Sequence, residues 1–194
     1  MKSELCVRWH SRAGQGAVTA ATFFGEACAT LGYKVQSFPD FGAEKRGAPV
    51  VVFNRISKSA KILDDPAHLT TVDLVVLLDP TLLGKELDYV DILKHLNPTG
   101  TLVINTSKEG ASLFNKKFQG TIFHLNATKI ALDTIKRNIP NVAMMGGLTT
   151  ILGLDHKKMK TLLNKSLSNS FAPSVVEKNL KGFVRGMSEV KKIK

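Results

Sequence analysis

The stretch LCVRWHSRAGQGAVTAATFFGEACATLG, residues 5–32, decides the fold. Its pattern predicts a strand over 5–10, a glycine-containing turn and an apolar helix over 17–31. Gly32 stands where a glycine ends a helix in the left-handed conformation. Small residues along the helix, such as Ala20 and Ala27, suit close packing on a sheet. A strand joined by a glycine turn to a helix is typical of the first unit of an α/β domain.

The rest of the chain continues this alternation. The run VDLVVLLDP at 72–80 is apolar between acidic ends, which is typical of a central parallel strand covered on both faces. The pattern predicts further strands at 33–38 (ended by Pro39), 49–56, 101–105 and 120–125, with helices at 81–95, 108–117 and 127–137. From Asn141 onward it predicts helices only, at 142–153, 155–169 and 174–190, without a further strand.

These elements predict one domain of the α/β class over residues 1–194. We expect a single doubly wound, mostly parallel sheet with helices on both faces and a helical C-terminal cap over about 141–194. The N-terminus lacks the apolar stretch of a secretory signal, and no segment is apolar for long enough to span a bilayer. We therefore expect a cytoplasmic protein without membrane contact.

Cysteine and histidine usage excludes several kinds of site. Only Cys6 and Cys28 occur, without a CxxC motif, so a disulfide framework, a Cys-ligated zinc and an iron–sulfur cluster held by this chain alone are excluded. The histidines are scattered without the spacing of metal ligands, and each is predicted to be structural or on the surface. They are His10, His68, His95, His124 and His156.

The net charge of +11 comes entirely from the second half of the chain. Residues 1–97 contain 11 Lys/Arg and 11 Asp/Glu, whereas residues 98–194 contain 16 and 5. The lysines lie on helical sequence without interleaved aromatic residues, and single-stranded nucleic acid needs such aromatic side chains for stacking. This distribution favours a solvated face, or a surface that docks on an acidic partner, over a nucleic-acid interface.

The loop between the first strand and the first helix is SRAGQG, residues 11–16. Backbone N–H groups and the helix dipole converge at this position, which favours an anion such as a phosphate. Gly14 and Gly16 would let a ligand approach the backbone, Arg12 would pair with its charge, and Gln15 would donate hydrogen bonds. A tight turn that needs glycine for positive φ is an equally good explanation.

A nicotinamide dinucleotide is a poorer match for this loop. The dinucleotide fingerprint requires a third glycine, and Thr19 occupies that position. It also requires an acidic residue at the end of the second strand, about 20 positions further on, where this chain has Phe38 and Pro39. These departures argue against a separate NAD(P) dehydrogenase.

A second loop, FPDFGAEKRGAP at 38–49, follows the second strand, at the end of a sheet where α/β proteins bind ligands. Glu44 and Arg46 could bind a charged group, and Gly42 and Gly47 would hold the loop shape. A solvent-exposed connection is the alternative, but the exposed aromatics that we expect here, Phe38 and Phe41, weigh against it. At the end of the central strand, Asp79 is predicted to serve as an N-cap or turn residue rather than to face a site.

Together, the two loops resemble those of the γ-subunit family of 2-oxoacid:ferredoxin oxidoreductases, and the resemblance covers most of the chain. The family's first loop reads G-x-G-G-Q-G, and Ser11 and Ala13 depart from its glycines. The second loop is similar to the pyruvate-type version, with Ala43 and Lys45 as minor departures. Relatives that act on 2-oxoglutarate resemble it less well. The C-terminal region is also similar to that of the family, through Asn141, Met144, Gly146, Gly147 and the run 175–180.

The resemblance implies a role in the oxidative decarboxylation of pyruvate with coenzyme A to acetyl-CoA and carbon dioxide, with electrons passing to ferredoxin or flavodoxin. It implies a heterotetramer in which thiamine diphosphate and iron–sulfur clusters belong to α, β and δ partner subunits. This chain would be a non-catalytic subunit that contributes to the coenzyme A side of the site through Arg12, Gly14, Gln15 and Gly16. The second loop would lie on the substrate side or at a subunit interface, through Phe41, Gly42, Glu44, Arg46 and Gly47. The alternatives are a γ subunit of a 2-oxoglutarate or other 2-oxoacid:ferredoxin oxidoreductase, and a stand-alone nucleotide-binding domain.

Overall fold

The computed structural model describes residues 4–41, 47–58, 71–83, 92–112 and 118–193. Its strands are β1 (Glu4–Arg12), β2 (Lys34–Phe41), β3 (Pro49–Ser57), β4 (Val72–Leu77), β5 (Leu96–Asn105), β6 (Thr121–Leu125) and β7 (Lys191–Lys192). Its α-helices are α1 (Ala17–Thr30), α2 (Lys108–Ser112), α3 (Ala127–Ile135), α4 (Asn141–Ile151), α5 (His156–Ser168) and α6 (Pro173–Glu189). A 3-10 turn covers Pro80–Leu83.

One sheet contains all seven strands, in the order β2-β3-β1-β4-β5-β6-β7. The pairs β1–β4, β4–β5 and β5–β6 are parallel. Strand β3 is antiparallel to both β1 and β2, and β7 is antiparallel to β6. Strands β1, β2, β4, β5 and β6 therefore point the same way, which confirms the prediction of a mostly parallel α/β sheet with β4 at its centre.

Apolar side chains on both faces of the sheet are buried. On one face, Trp9 and Val76 belong to a core that helices α1, α3, α4, α5 and α6 cover, and Trp9 meets Phe24 of α1 edge to face at 5.9 Å. The opposite core contains side chains from β4 and β5, such as Leu77 and Leu102. Coverage of both faces explains why the β4 sequence is a continuous apolar run.

Helices α4 and α6 pack closely because glycines stand at their contact. A Cβ on Gly146 would collide with the backbone carbonyl of Phe183, and a Cβ on Gly186 would collide with that of Ala143. This contact holds the C-terminal helices on the sheet, as the predicted cap requires. None of the helices in the described residues has both the length and the apolar composition needed to cross a membrane.

The structure corrects three predictions of secondary structure. Strand β2 runs through Pro39 to Phe41, because β2 is an edge strand where a residue without an N–H is tolerated. The prediction of helices alone after Asn141 is wrong, since Lys191 and Lys192 form β7 at the opposite edge. In place of the helix predicted over 81–95, the described residues show the 3-10 turn and a turn over 92–95. Residues 84–91 of that segment, and 113–117 after α2, lie outside the described residues.

Candidate functional site

The first loop, residues 11–16, and the described end of the second loop, residues 47–49, lie side by side where β1 ends and β3 begins. Strands β2 and β3 form an antiparallel hairpin, and the register Arg12↔Pro49 places the end of this hairpin beside the end of β1. Ala13 N donates to the carbonyl of Ala48 (2.9 Å), and Arg12 Nη1 donates to the carbonyl of Gly47 (3.2 Å). The strand pairing therefore brings the first loop into contact with the described end of the second loop.

Only part of the second loop is described. Gly47 has a φ of 85°, the left-handed conformation that favours glycine. Phe41 ends β2, while Gly42, Glu44 and Arg46 lie outside the described residues, and their predicted roles stay predictions. The expectation that Phe38 is exposed is wrong, because its ring is half-buried and stacks on Phe53 with 5.3 Å between ring centroids.

Asp79 organises the first loop from the end of β4. Its Oδ2 accepts a hydrogen bond from Gln15 Nε2 (2.6 Å) and lies 3.6 Å from Arg12 Nε. Its Oδ1 accepts bonds from the N–H (2.9 Å) and the hydroxyl (2.7 Å) of Thr81. Asp79 thus has the turn role expected from the sequence, and it also holds the loop that follows β1.

Arg12 and Gln15 have internal partners. Gln15 Oε1 accepts from the N–H of Arg12 (2.9 Å), so both ends of this amide hold the loop. Arg12 Nε donates to Thr81 Oγ1 (3.0 Å), and a third of the Arg12 side chain is exposed. Both side chains therefore shape the loop, and Arg12 keeps an exposed portion that can meet an anion.

The two glycines of the first loop have different surroundings. Gly14 has a φ of 98°, and a Cβ placed there would meet nothing within 4 Å. Gly16 has a φ of 83° and precedes the first turn of α1, and Asn141 Nδ2 donates to its carbonyl (3.2 Å). A Cβ on Gly16 would collide with the Asn141 side chain. Gly14 is therefore open to a ligand, whereas Gly16 is required by packing.

A cleft of about 1160 Å³ opens beside this loop. Its walls come from the start of α1, the start of β3, the α3–α4 connection, and helices α4, α5 and α6. Three cationic side chains line it, those of Arg12, Arg137 and Lys178. No Asp or Glu lines it among the described residues, and Arg137 and Lys178 form no ion pair with any described residue. Such a charge distribution gives the cleft a positive electrostatic potential, which favours anions.

The same cleft carries exposed apolar side chains. Phe171 is 52% exposed, and Val18 and Val175 are each 37% exposed. Of the five large hydrophobic side chains exposed in the described chain, these three line the cleft. Exposed apolar groups rimmed by charge are typical of a binding surface.

Four residues on the far wall of the cleft were not predicted from the sequence to line a site: Arg137, Phe171, Val175 and Lys178. Lys136 has a φ of 58°, a left-handed conformation that is uncommon for a non-glycine residue, and it ends α3 just before Arg137. Phe171 was the residue most open to prediction, since it is a large apolar side chain within the polar run SLSNSFAPS, residues 166–174. The other residues are brought to the cleft by helix packing, for which no local pattern exists.

The fold is that of an α/β domain with a cleft lined by cationic and apolar side chains, and comparisons with known proteins assign its family. Residues 6–189 match the model of the family described as pyruvate ferredoxin/flavodoxin oxidoreductase. The chain belongs to this family. It is 37% identical over 187 residues to pyruvate synthase subunit PorC of Thermotoga maritima, covering 95% of this chain and 94% of the relative. It is also 37% identical to the common γ subunit of the pyruvate/ketoisovalerate oxidoreductases of Thermococcus kodakarensis, covering 90% and 91%.

Solved structures agree. The crystal structure of the Thermotoga maritima PorC subunit matches with a TM-score of 0.81 over 100% of both chains. A 2-oxoglutarate:ferredoxin oxidoreductase from Magnetococcus marinus, with 2-oxoglutarate, coenzyme A and succinyl-CoA bound, matches with a TM-score of 0.71 at 19% identity. That match covers 97% of this chain and 31% of that one, and it shows the fold alone. The predicted resemblance to a γ-type subunit of a pyruvate oxidoreductase is thereby confirmed.

Proposed function

We propose that, within a pyruvate:ferredoxin or pyruvate:flavodoxin oxidoreductase, this chain supplies the coenzyme A side of the active site. Pyruvate is decarboxylated on thiamine diphosphate, and the electrons leave through iron–sulfur clusters, both of which α, β and δ partner subunits hold. The chain then contributes binding and shape rather than a reacting group. The observation that carries this proposal is the cleft that combines Arg12, Arg137 and Lys178 with exposed apolar side chains.

The cleft fits coenzyme A chemically. Coenzyme A has a phosphate-rich nucleotide end and a long, largely apolar arm, and the cleft offers cations and apolar walls in one cavity. The start of α1 adds backbone N–H groups beside the open face of Gly14, and phosphate binds readily at such a helix end. Arg12 stands between this helix end and the second loop.

A relative whose γ subunit is shared by two oxidoreductases supports a role on the coenzyme A side. The γ subunit of Thermococcus kodakarensis is common to a pyruvate and a ketoisovalerate oxidoreductase. A subunit shared by two oxoacids does not select between them, whereas both reactions consume coenzyme A. A role on the coenzyme A side is therefore consistent with a shared γ subunit.

The two cysteines are poorly suited to hold redox groups. Cys28 lies buried in α1, and burial raises the pKa of its thiol to about 12. Burial, reinforced by the charge of Asp73, raises the pKa of Cys6 to about 11. Iron–sulfur clusters are held by four cysteine thiolates, and this chain has only these two cysteines. We therefore assign the clusters to the partner subunits.

The test uses the assembled complex with Arg137→Gln and Lys178→Gln. Each loses a charge-assisted hydrogen bond to phosphate, worth about 1.5–3 kcal/mol, so the apparent KM for coenzyme A should rise roughly 10- to 100-fold. The KM for pyruvate should stay unchanged. Lys160→Gln is the matched control, because this lysine is exposed on α5 outside the cleft. An unchanged KM for coenzyme A in both cleft variants would refute the proposal.

A further inference from the structure

Phe171 is the most exposed large apolar side chain of the described residues, at 52%. It lies in the turn between α5 and α6, where its N–H donates to the carbonyl of Leu167 (2.9 Å). The backbone at Phe171 is therefore held in place while its ring faces the cleft. An aromatic ring exposed in this way offers a flat surface without a partner in the described chain.

One face of α6 lines the cleft, and the side chains on this face change from apolar to charged and polar along the helix. Phe171 precedes α6, and within the helix Val175 is followed by Lys178 and Asn179 three and four residues later, so these three share a face at helical spacing. The apolar Val175 comes first and the cation follows about one turn further on. Val18 adds a third exposed apolar side chain from α1.

We propose that Phe171 stacks on the adenine ring of an adenosine phosphate, with Val18 and Val175 beside the base and with Lys178 and Arg137 on its phosphates. This inference rests on the proposed function and adds a base-recognition residue to it. A planar base joined to anionic groups is the ligand chemistry that matches an exposed ring just before a helix that carries a lysine seven residues further along the chain, in the same cleft. Stacking of a base on an aromatic side chain is worth about 1–3 kcal/mol.

The charge of the cleft favours this occupant over a polypeptide from a partner subunit. In this cleft Arg137 and Lys178 have no ion-pair partner among the described residues, and the partly exposed Arg12, whose other side faces Asp79, adds a third cation, which matches a ligand with several negative charges. A polypeptide occupant remains one outcome of the test.

The experiment compares Phe171→Leu and Phe171→Trp in the assembled complex. Two fragments of coenzyme A, tested as competitors of coenzyme A, serve as probes: adenosine 3′,5′-bisphosphate, which carries the base, and 4′-phosphopantetheine, which does not. We expect Phe171→Leu to raise the inhibition constant of the bisphosphate and the KM for coenzyme A about 5- to 150-fold, and to leave the phosphopantetheine constant unchanged. Phe171→Trp should keep all three values close to the wild type. Leu132→Ala is the control, since this side chain is 46% exposed outside the cleft.

Each other outcome overturns the inference. Equal weakening of both probes by Phe171→Leu would place the ring on the thiol arm or give it a merely structural role. Loss of the subunit from the purified complex, with unchanged constants in the complex that remains, would make Phe171 a contact for a partner polypeptide. Normal binding by Phe171→Leu, together with weakened binding by Arg137→Gln and Lys178→Gln, would refute the stacking and leave the proposed function standing.

Discussion

Gln15 Nε2 donates to Asp79 Oδ2 at 2.6 Å, and 64 residues of sequence separate the two partners. This bond joins the loop after β1 to the end of β4, two neighbouring parallel strands. Asp79 is 7% exposed, so the bond is sheltered from water. The shape of the first loop is therefore set by the neighbouring strand as much as by its own glycines.

Removing this bond should destabilise the chain and loosen the loop. Gln15→Leu leaves the Asp79 carboxylate without one of its donors, and a hydrogen bond to a charged group contributes about 1.5–3 kcal/mol. We expect a loss of this size in urea unfolding, together with a higher KM for coenzyme A in the complex. Gln119→Ala, at an exposed position, is the control. Wild-type stability in Gln15→Leu would show that the bond contributes nothing.

The two glycines of the first loop should respond differently to alanine. Both have positive φ, which costs a non-glycine residue about 1–2 kcal/mol. Gly14→Ala meets only this cost, because its side chain would enter open space. Gly16→Ala also forces its methyl group into Asn141, so we expect a larger loss of unfolding free energy, measured by chemical denaturation. An equal loss in both variants would contradict the contact with Asn141.

Much of the fold, and only half of the cleft, was predictable from the sequence. The strand–turn–helix unit at 5–32 and the buried strand at 72–80 carry local patterns that tertiary packing does not override. The antiparallel direction of β3 was not predictable, because residues 49–56 show the same apolar content in either direction. Strand β7 is two residues long and depends on its register with β6, which no local signal encodes. Arg137 and Lys178 reach the cleft only through the packing of α3, α4 and α6.

The contact between α4 and α6 should be intolerant of a single methyl group. Gly186→Ala places a Cβ against the carbonyl of Ala143, a backbone atom that cannot turn away, and overpacking of this kind costs about 1–3 kcal/mol. Gly182→Ala, on the same helix, meets only the Thr134 hydroxyl at 3.3 Å and a methyl group of Ile130 at 3.9 Å. The hydroxyl has to shift by only a few tenths of an ångström, and the better helix propensity of alanine offsets part of that cost, so Gly182→Ala should lose less stability than Gly186→Ala. Thermal unfolding of the two variants checks this, and a stable Gly186→Ala protein would contradict it.

A buried histidine should make the stability of the chain depend on pH. His10, in β1, is 3% exposed, and neither of its ring nitrogens has a hydrogen-bond partner in the described residues. Burial, reinforced by the positive charge of Arg8, lowers its pKa from 6.5 to about 3. Below pH 6.5 the unfolded chain therefore binds a proton that the folded chain does not bind. The free energy of unfolding has its full value above pH 6.5 and falls as the pH drops toward 3.

His10→Leu should remove this loss, because the leucine has nothing to protonate. Each pH unit within the window costs the wild type about 1.4 kcal/mol, so between pH 7.5 and pH 5.0 its free energy of unfolding should fall by about 2 kcal/mol more than that of His10→Leu. Urea unfolding at the two pH values measures the difference. His156→Gln, at an exposed position on α5, should keep the wild-type response. If His10→Leu and the wild type lost stability in parallel, the acid sensitivity would have to come from other groups, and His10 would be protonated in the folded chain as readily as in the unfolded one.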